Sequence, residues 1–227
     1  LGNALTFPMA VGASAILLEG PPEPERINKI FLEEKPTLFF GVPTLFAMLL
    51  ASDNLPTKDE HDVRLCISAG EPLPSDLLTR WQGTFGVDIL DGLGTTEMLH
   101  IFVSNRPDEI TPGSTGRVVP GYQIRLINDN NEVCAPGEMG VLEVSGPSSA
   151  LMYWGQRQKT KDTFKGTWTR TGDNYSISEK GVMTYGGRND DMLKVGGIYV
   201  SPFEVEAALI KHEAVLEAAV VGNDDQD

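Results

Sequence analysis

The sequence predicts an α/β fold in three parts: a parallel-sheet βαβ subdomain, a small antiparallel β-barrel-like subdomain, and the start of a small α+β C-terminal domain. In the first ninety or so residues, apolar runs alternate with helical patterns, which is typical of βαβ units. After about residue 110, short alternating runs separated by turn clusters predict antiparallel hairpins. A new helix start follows residue 190. We therefore expect domains at 1–110, 111–189 and 190–227.

The first part is predicted to contain four strands and three helices. Ile27, Ile30 and Phe31 stand at helical spacing, and so do the inward-facing Leu77, Leu78 and Trp81. The predicted strands are 13–18, 38–42, 64–69 and 87–90, and the predicted helices are 24–34, 44–51 and 74–81. Ligands of open α/β sheets bind beyond the carboxyl ends of the strands. The loops at 70–72 and 92–97 should therefore face one cleft.

The later part is predicted to form short strands and a capped helix. The strands are 122–127, 141–144, 168–170 and 182–185, with a further strand at 215–221. Ser201 followed by Glu204 forms a capping box, and Pro202 suits the first helical position. A helix should therefore run from Pro202 to about Lys211.

Composition and charge exclude two classes of partner. The 227 residues are 41% hydrophobic, as in an ordinary globular protein, and carry a formal net charge of −14. An acidic chain lacks the clustered cations of a nucleic-acid-binding surface. There is no apolar run of about 18 residues, so no membrane segment is expected. Cys66 and Cys134 show no metal-ligand spacing, which predicts reduced, buried thiols in a cytoplasmic protein.

Two polar turns near the end could hold a nucleotide. The first is 171–173 and the second is 187–194, so Asp173 and Arg188 bracket a hairpin of about fifteen residues. An ionised carboxylate can accept both vicinal hydroxyls of a ribose, and a guanidinium donates to ribose or phosphate oxygens. The alternative is structural: Asp173 could stabilise a tight turn, and Arg188 could pair with a nearby carboxylate.

A third motif, at 91–97, reads as a glycine-rich turn that ends in a hydroxyl and a carboxylate. Such a turn brings backbone N–H groups close to phosphate, and Thr96 beside Glu97 suits Mg²⁺, which prefers oxygen ligands. The alternative is a helix N-terminus with a threonine cap and a favourable carboxylate.

Together and in this order, these motifs resemble the adenylate-forming superfamily of acyl- and aryl-CoA synthetases, luciferases and peptide-synthetase adenylation domains. The resemblance covers essentially the whole chain. Segments 5–13, 97–102 and 193–204 look like the benzoate-CoA ligase branch.

The resemblance implies a role for each motif. Thr96 and Glu97 would be catalytic, with Glu97 as the Mg²⁺ ligand, and Asp190 would be the hinge of the small domain. The implied nucleotide-binding residues are Gly70, Glu71, Pro72, Asp91, Gly92, Thr96, Asp173 and Arg188; the implied acid-binding residues are Ala69, Gly94, His100 and Ile101; and Lys194, Gly196 and Gly197 would serve the CoA-dependent step. Three bland alternatives stay open: His100 as a satisfied core side chain, 189–191 as a polar linker, and the glycine pair as a simple turn.

The implied activity is that of an ATP-dependent aryl-CoA ligase with Mg²⁺ and coenzyme A. A small aromatic carboxylate would attack the α-phosphate of ATP, pyrophosphate would leave, and the CoA thiolate would displace AMP. The alternatives are another acyl-CoA ligase, a peptide-synthetase adenylation domain, or a non-catalytic nucleotide-binding fragment. The family's phosphate loop and C-terminal catalytic lysine are not found, and Lys194 is not that lysine, so we expect a fragment that is inactive alone. A homodimer is one option for the native enzyme.

Overall fold

The computed structural model describes residues 2–195, 198–209, 212, 214, 215 and 218–222. Contacts divide the chain into two compact units, Leu1–Val119 and Pro120–Asp227. The predicted domain boundaries after residues 110 and 189 stay a prediction. None of the helices in the described part of the chain has the length and apolar character needed to cross a membrane.

The first unit contains a five-stranded mixed sheet in the order β1-β2-β3-β4-β5. Its strands are β1 (Leu38–Gly41), β2 (Leu65–Ala69), β3 (Ile89–Gly94), β4 (Ile101–Ser104) and β5 (Arg117–Val118). Its helices are α1 (Phe7–Val11), which follows a π-helical turn at Gly2–Thr6, α2 (Pro24–Glu33), α3 (Pro43–Leu50) and α4 (Ser75–Phe85). β1, β2 and β3 are parallel, whereas β4 and β5 are antiparallel additions that the sequence did not predict. The predicted α/β class with βαβ units is confirmed.

Most predicted elements of this unit form within a few residues of their expected bounds, but two do not. The predicted strand at 13–18 is wrong: the segment is irregular, Leu17 is exposed, and Ala13 N–H donates to Pro8 O instead of a strand partner. The predicted strand at 87–90 begins at Ile89 and continues to Gly94. The predicted glycine-rich turn is therefore mostly strand.

Alternation along the strands divides the sheet into two faces. Phe39, Cys66 and Ile89 are register neighbours that pack in the core with helices α2, α3 and α4, and this core buries Trp81 completely. Successive strand residues point to opposite faces, so Phe40 and Ile67 lie on the other side. That second face is available for a ligand cavity.

His61 is a satisfied core side chain. Its ring stacks on Phe85 with centroids 3.8 Å apart, and its Nδ1 accepts a hydrogen bond from Val63 N–H at 3.2 Å. Its Nε2 lies 3.1 Å from Phe85 O, so this nitrogen carries the proton. Both ring nitrogens are therefore engaged within the core.

The second unit is built on an antiparallel sheet in the order β10-β9-β7-β6, with β8 also paired to β9. Its strands are β6 (Gln123–Ile127), β7 (Met139–Ser145), β8 (Phe164–Lys165), β9 (Trp168–Ile177) and β10 (Met183–Arg188), and α5 (Arg157–Thr163) leads into β8. Antiparallel hairpins were predicted and are present. The barrel-like shape is wrong for the described residues, because β6 and β10 form opposite edges and closure would require them to pair.

A buried carboxylate braces three neighbouring strands of this sheet. Glu143 on β7 is almost fully buried, and Arg125 on β6 donates to its Oε2 from Nε at 2.9 Å and Nη2 at 2.7 Å. Arg170 on β9 lies 3.8 Å from Oε1. Breaking such a pair leaves a buried charge uncompensated, so removal of either arginine should destabilise this sheet.

Cys134 is only half-buried, so the prediction of two buried thiols holds for Cys66 alone.

The described end of the chain is a hairpin of β11 (Leu193–Val195) and β12 (Ile198–Val200), followed by α6 (Pro202–Leu209). The predicted cap is present, because Glu204 N–H donates to Ser201 Oγ at 3.3 Å. The predicted helix end at Lys211 lies outside the described residues. The strand predicted at 215–221 is wrong for its described residues, since Val220 N–H donates to the Glu206 carboxylate at 2.8 Å.

Candidate adenylate-forming site

A cavity of about 240 Å³ lies in the first unit at the carboxyl ends of β1, β2 and β3. This is the edge at which open α/β sheets bind ligands. Its wall is mainly apolar with a few polar groups, the usual character of a small-molecule site. The lining residues are Asn3, Phe40, Gly41, Ile67, Ala69, Gly94, Thr95, Thr96, Leu99, His100 and Ile101.

All four predicted acid-binding residues line this cavity. Ala69 ends β2, Gly94 ends β3, and His100 and Ile101 lead into β4. Among the predicted phosphate and metal residues, Thr96 also lines it, whereas Glu97 does not. The structure therefore brings the acid-binding set together, and its binding role stays a prediction.

Two glycines of β3 let β4 approach closely. A Cβ on Gly92 would lie 2.7 Å from Ile101 Cδ1, and a Cβ on Gly94 would lie 2.6 Å from His100 O. The β3–β4 register shifts between Leu93 and Gly94, which is a local bulge. These glycines therefore serve strand packing beside the cavity, whereas the sequence predicted a glycine-rich turn at 91–97.

The chain between β3 and β4 is held in an unusual backbone conformation. A 3₁₀ turn at Thr96–Met98 is followed by Leu99 at φ 71° and ψ −48°, and His100 N–H donates to Met98 O at 2.9 Å. This is a γ-turn, which is rare and strained for a bulky residue. The Thr95 hydroxyl oxygen is buried without a hydrogen-bond partner among the described residues, so this wall offers a ligand one unused polar group.

His100 is held by the N-terminal turn. Its Nε2 lies 2.7 Å from Asn3 Oδ1, and its ring meets Phe7 edge-to-face with centroids 4.7 Å apart. Partial burial lowers the pKa of His100 below its ordinary value of 6.5, because desolvation disfavours the imidazolium. The ring is therefore neutral at pH 7. The acid-binding role of His100 stays a prediction, beside its alternative as a satisfied side chain.

The predicted nucleotide-binding loop at 70–72 follows β2. Gly70 adopts φ 94°, a conformation that favours glycine, and Glu71 is exposed. The Glu71 carboxylate accepts hydrogen bonds from Thr44 Oγ1 at 2.6 Å and Thr44 N–H at 3.2 Å. It thus caps the first turn of α3, where a carboxylate is favourable. The nucleotide-binding role of 70–72 stays a prediction.

Asp91 is a buried carboxyl on β3, only 7% exposed. Burial raises its pKa to about 7 from the ordinary 3.8, while hydrogen bonds from the Thr115 hydroxyl and the Gly92 backbone oppose the rise. Near neutral pH this group can therefore both donate and accept a hydrogen bond.

In the second unit, Asp173 and Arg188 face each other across β9 and β10. They are direct register partners, and Arg188 Nη1 donates to Asp173 Oδ1 at 3.0 Å. Asp173 is 6% exposed, whereas the Arg188 side chain is 49% exposed. The predicted hairpin between them is confirmed, but 171–173 is strand and not a turn, and 187–188 ends β10.

Small residues and an aromatic group surround this pair. Gly172 has φ 80°, and a Cβ there would lie 3.3 Å from Arg188 Nη2. Burial raises the pKa of Tyr185 to about 12, with the Asp173 carboxylate as a further cause, so the phenol stays protonated. Tyr185 also meets Phe203 edge-to-face with centroids 5.2 Å apart. The Asp173 carboxylate is therefore shielded from solvent, whereas the Arg188 guanidinium is accessible.

The predicted hinge and CoA residues follow β10. Asp190 lies in a 3₁₀ turn at Asn189–Asp191, and Lys194 is in β11 opposite Tyr199. Gly196 and Gly197 lie outside the described residues. No group of three or more His, Cys, Asp or Glu side chains suited to a metal ion occurs among the residues that the structure describes.

A family model described as AMP-binding enzyme matches residues 1–154. The chain belongs to this family. The match covers the cavity and the first half of the antiparallel sheet, and the α/β architecture agrees with it.

Relatives within the AMP-binding enzyme family align with nearly all of this chain, and two solved structures share its fold. The chain is 55% identical over 228 residues to a benzoate–CoA ligase from Thauera aromatica, covering 100% of this chain and 43% of that protein. A benzoate CoA ligase structure from Burkholderia xenovorans LB400 superposes with a TM-score of 0.93 at 51% identity, over 99% of this chain and 45% of that one. An anthranilate CoA ligase in complex with anthranoyl-AMP gives 0.91 at 43% identity, over 98% and 43%. The chain thus spans less than half the length of these proteins.

Sequence reasoning missed several residues of this AMP-binding chain that shape the site. Asn3 contacts His100 across 97 positions, and Thr44 contacts Glu71 across 27. Thr115 hydrogen-bonds Asp91 from a loop that carries no motif. No local pattern marks these contacts, because each joins distant segments.

Proposed function

We propose that the full-length protein containing this chain is an AMP-forming aryl-CoA ligase that activates benzoate or a close ring analogue. The observation that carries the proposal is the small, mainly apolar cavity whose wall includes His100 and Ile101. Its volume of about 240 Å³ accommodates a single aromatic ring. The relatives are named for benzoate and anthranilate, and one is bound to an aryl adenylate.

In this proposal each unit contributes its own part of the reaction. In the first unit, the cavity orients the aromatic acid, and the 70–72 main chain with Asp91 receives adenine. In the second unit, Asp173 accepts the ribose hydroxyls while Arg188 donates to the nucleotide. Positioning and charge stabilisation are the main needs of such a transfer, since the acid carboxylate is itself the nucleophile.

Glu97 is the residue that would hold Mg²⁺. Magnesium in nucleotide sites is bound by one or two carboxylates together with water and substrate phosphates, so one half-buried carboxylate beside Thr96 fits this ion. When bound, the ion would neutralise charge on the phosphates. Thr96, which is exposed at the cavity wall, would donate its hydroxyl hydrogen to a phosphate oxygen and so orient it.

The second half-reaction would use the segment after β10. CoA thiolate attacks the acyl carbonyl, AMP leaves, and the thioester forms. Asp190 would be the hinge that lets the segment containing Lys194, Gly196 and Gly197 change position between the two half-reactions. Hinges are a few loop or element-terminal residues that absorb backbone dihedral changes.

The test is acid-dependent ATP–pyrophosphate exchange by the purified full-length protein, with mass spectrometry of the adenylate and the thioester. Benzoate should support exchange and yield benzoyl-AMP and then benzoyl-CoA. Octanoate as the preferred acid would indicate a fatty acyl-CoA ligase. Exchange with an amino acid and no thioester would indicate an adenylation domain, and no exchange with any acid would reject an adenylating enzyme.

A further inference from the structure

Three residues of the N-terminal segment contact the ring of His100. A Cβ on Gly2 would lie 2.7 Å from His100 Cδ2, so the absence of a side chain there lets the ring sit against the backbone. Asn3 Oδ1 lies 2.7 Å from His100 Nε2. The ring of Phe7 meets the imidazole edge-to-face, at 4.7 Å between centroids and 73° between planes. The three contacts together fix the position, the tilt and the hydrogen-bonding edge of the imidazole.

The hydrogen bond also fixes the tautomer. An amide oxygen only accepts, so His100 Nε2 must carry the proton and donate it. The neutral ring then has its lone pair on Nδ1. Within the described part of the chain, neither the Asn3 side chain nor the His100 ring makes a second hydrogen bond. The Asn3 contact is therefore the one polar restraint on this ring there.

The turn that carries these contacts is itself unusual. Gly2–Thr6 is a π-helical turn, and it continues directly into α1. π-Helical turns are rare and occur often at functional sites. The wider turn presents Gly2 and Asn3 to the ring, while Phe7 at the start of α1 reaches the same ring.

We propose that Asn3 is a positioning residue for acid selectivity: it holds His100 as the Nε2–H tautomer against Gly2 and Phe7, and thereby fixes the shape of the cavity wall. This proposal rests on the proposed function for its substrate. Asn3 lies beside His100 on the cavity wall, and it acts through the imidazole ring that it holds. Its loss should weaken aryl-acid binding and leave nucleotide binding unchanged.

The test uses Asn3→Leu in the full-length protein, because leucine has the same branched arrangement of side-chain heavy atoms as asparagine and lacks the acceptor. The KM for benzoate should rise by up to about tenfold, as expected for one lost partly buried hydrogen bond, while the KM for ATP stays within about twofold. Asn54→Ala, an exposed position after α3, is the matched control and should change neither value. If Asn3→Leu does not fold, Asn3→Ala tests the same bond.

A double-mutant cycle separates positioning from a general structural role. In a His100→Phe background, Asn3→Leu should change the KM for benzoate by less than about twofold, because the partner is gone. An equal cost in both backgrounds would overturn the proposal.

Imidazole ¹⁵N chemical shifts supply a readout that needs no substrate. The His100 signals, assigned by their loss in His100→Phe, should show Nε2–H in the wild type and a tautomer mixture in Asn3→Leu. An unchanged tautomer would overturn the proposal. If no acid supports adenylation, the proposed function fails, and the ¹⁵N shifts still decide whether Asn3 sets the tautomer.

Discussion

The cavity of the first unit and the Asp173–Arg188 pair of the second are built in different ways. The cavity depends on backbone: Gly92 and Gly94 let β4 approach, and a strained turn at Leu99 presents the next two residues. The pair depends on side chains, because one buried carboxylate and one half-exposed guanidinium meet across a hairpin. Substitutions that add volume should therefore disrupt the cavity, and substitutions that remove charge should disrupt the Asp173–Arg188 pair.

The largest effect is expected from removing charge in the second unit. Asp173→Ala in the full-length protein should weaken ATP binding by on the order of 3 to 6 kcal/mol, because two charge-assisted hydrogen bonds to ribose are lost. Titration calorimetry with ATP measures this directly. Glu179→Ala, at the exposed turn of the same hairpin, is the control and should bind ATP normally. Near-normal affinity in Asp173→Ala would reject the ribose assignment.

A second charge prediction concerns Asp91 in the first unit. Its folded-state pKa of about 7 lies above the ordinary 3.8, so the folded state binds the proton more tightly than the unfolded state. The contribution of Asp91 to stability should therefore be fully present below pH 3.8 and be lost as the pH rises through 7, by on the order of 4 kcal/mol in total. Asp91→Asn should remove this loss.

Urea unfolding of the full-length protein at pH 5 and pH 8 provides the measurement. The stability of Asp91→Asn relative to wild type should increase with pH, whereas the exposed Asp59→Asn should show the wild-type dependence. A wild-type pH dependence in Asp91→Asn would mean that this carboxyl is ionised in the folded protein. The first unit would then hold a buried charge as the second unit does. The difference between a cavity that depends on backbone and a pair that depends on charge would be smaller.

The third prediction tests the hinge role of Asp190 separately from the nucleotide-binding role of Asp173 and Arg188. Asp190→Pro should leave adenylation intact and slow thioester formation on the order of 10²-fold, because proline fixes φ near −65° and a misplaced segment cannot complete the site. Asp190→Ala keeps the backbone free and is the matched control. Pyrophosphate exchange and thioester release are measured separately, and equal loss of both would make Asp190 a simple linker.

The fourth prediction adds volume to the cavity unit. Gly94→Ala places a Cβ 2.6 Å from His100 O, where backbone and not a flexible side chain must move. We expect a loss of about 1 to 3 kcal/mol in stability and a raised KM for the aryl acid, as overpacking predicts. Gly83→Ala in α4 meets no atom within 4 Å and should instead stabilise by about 0.5 to 1 kcal/mol. Thermal unfolding of both variants tests the pair, and similar losses in the two would refute the packing argument.

Local sequence signals correctly predicted several helices and one hairpin of the fold. Helix periodicity placed α2, α3 and α4, the Ser201 cap marked α6, and the spacing of Asp173 and Arg188 indicated their hairpin. These features depend on residues that are close in sequence or on one regular period, so the sequence alone contains them.

The errors arose where distant segments decide the outcome. Gly92 and Gly172 were predicted to be turn residues, but both lie in strands. Each leaves room for a side chain from a neighbouring strand, Ile101 at Gly92 and Arg188 at Gly172. The apolar run at 13–18 has strand-like composition, but composition cannot supply a ladder partner. Asn3 was missed for the same reason, since its partner is 97 positions away.

The smallest effect is expected where a side chain, and not the backbone, closes the cavity. Ile101 lines the wall and packs over Gly92, so Ile101→Ala removes volume without adding any clash. Apolar pockets discriminate a methylene by only about 1 to 3 kcal/mol, so the gain for a substituted benzoate over benzoate should stay within that range. The measurement is kcat/KM of the full-length protein for benzoate, a substituted benzoate and a medium-chain fatty acid, with the exposed Met48→Ala as control. A wild-type preference for the fatty acid, or ratios that Ile101→Ala leaves unchanged, would contradict the aryl cavity and leave the nucleotide assignments of the second unit standing.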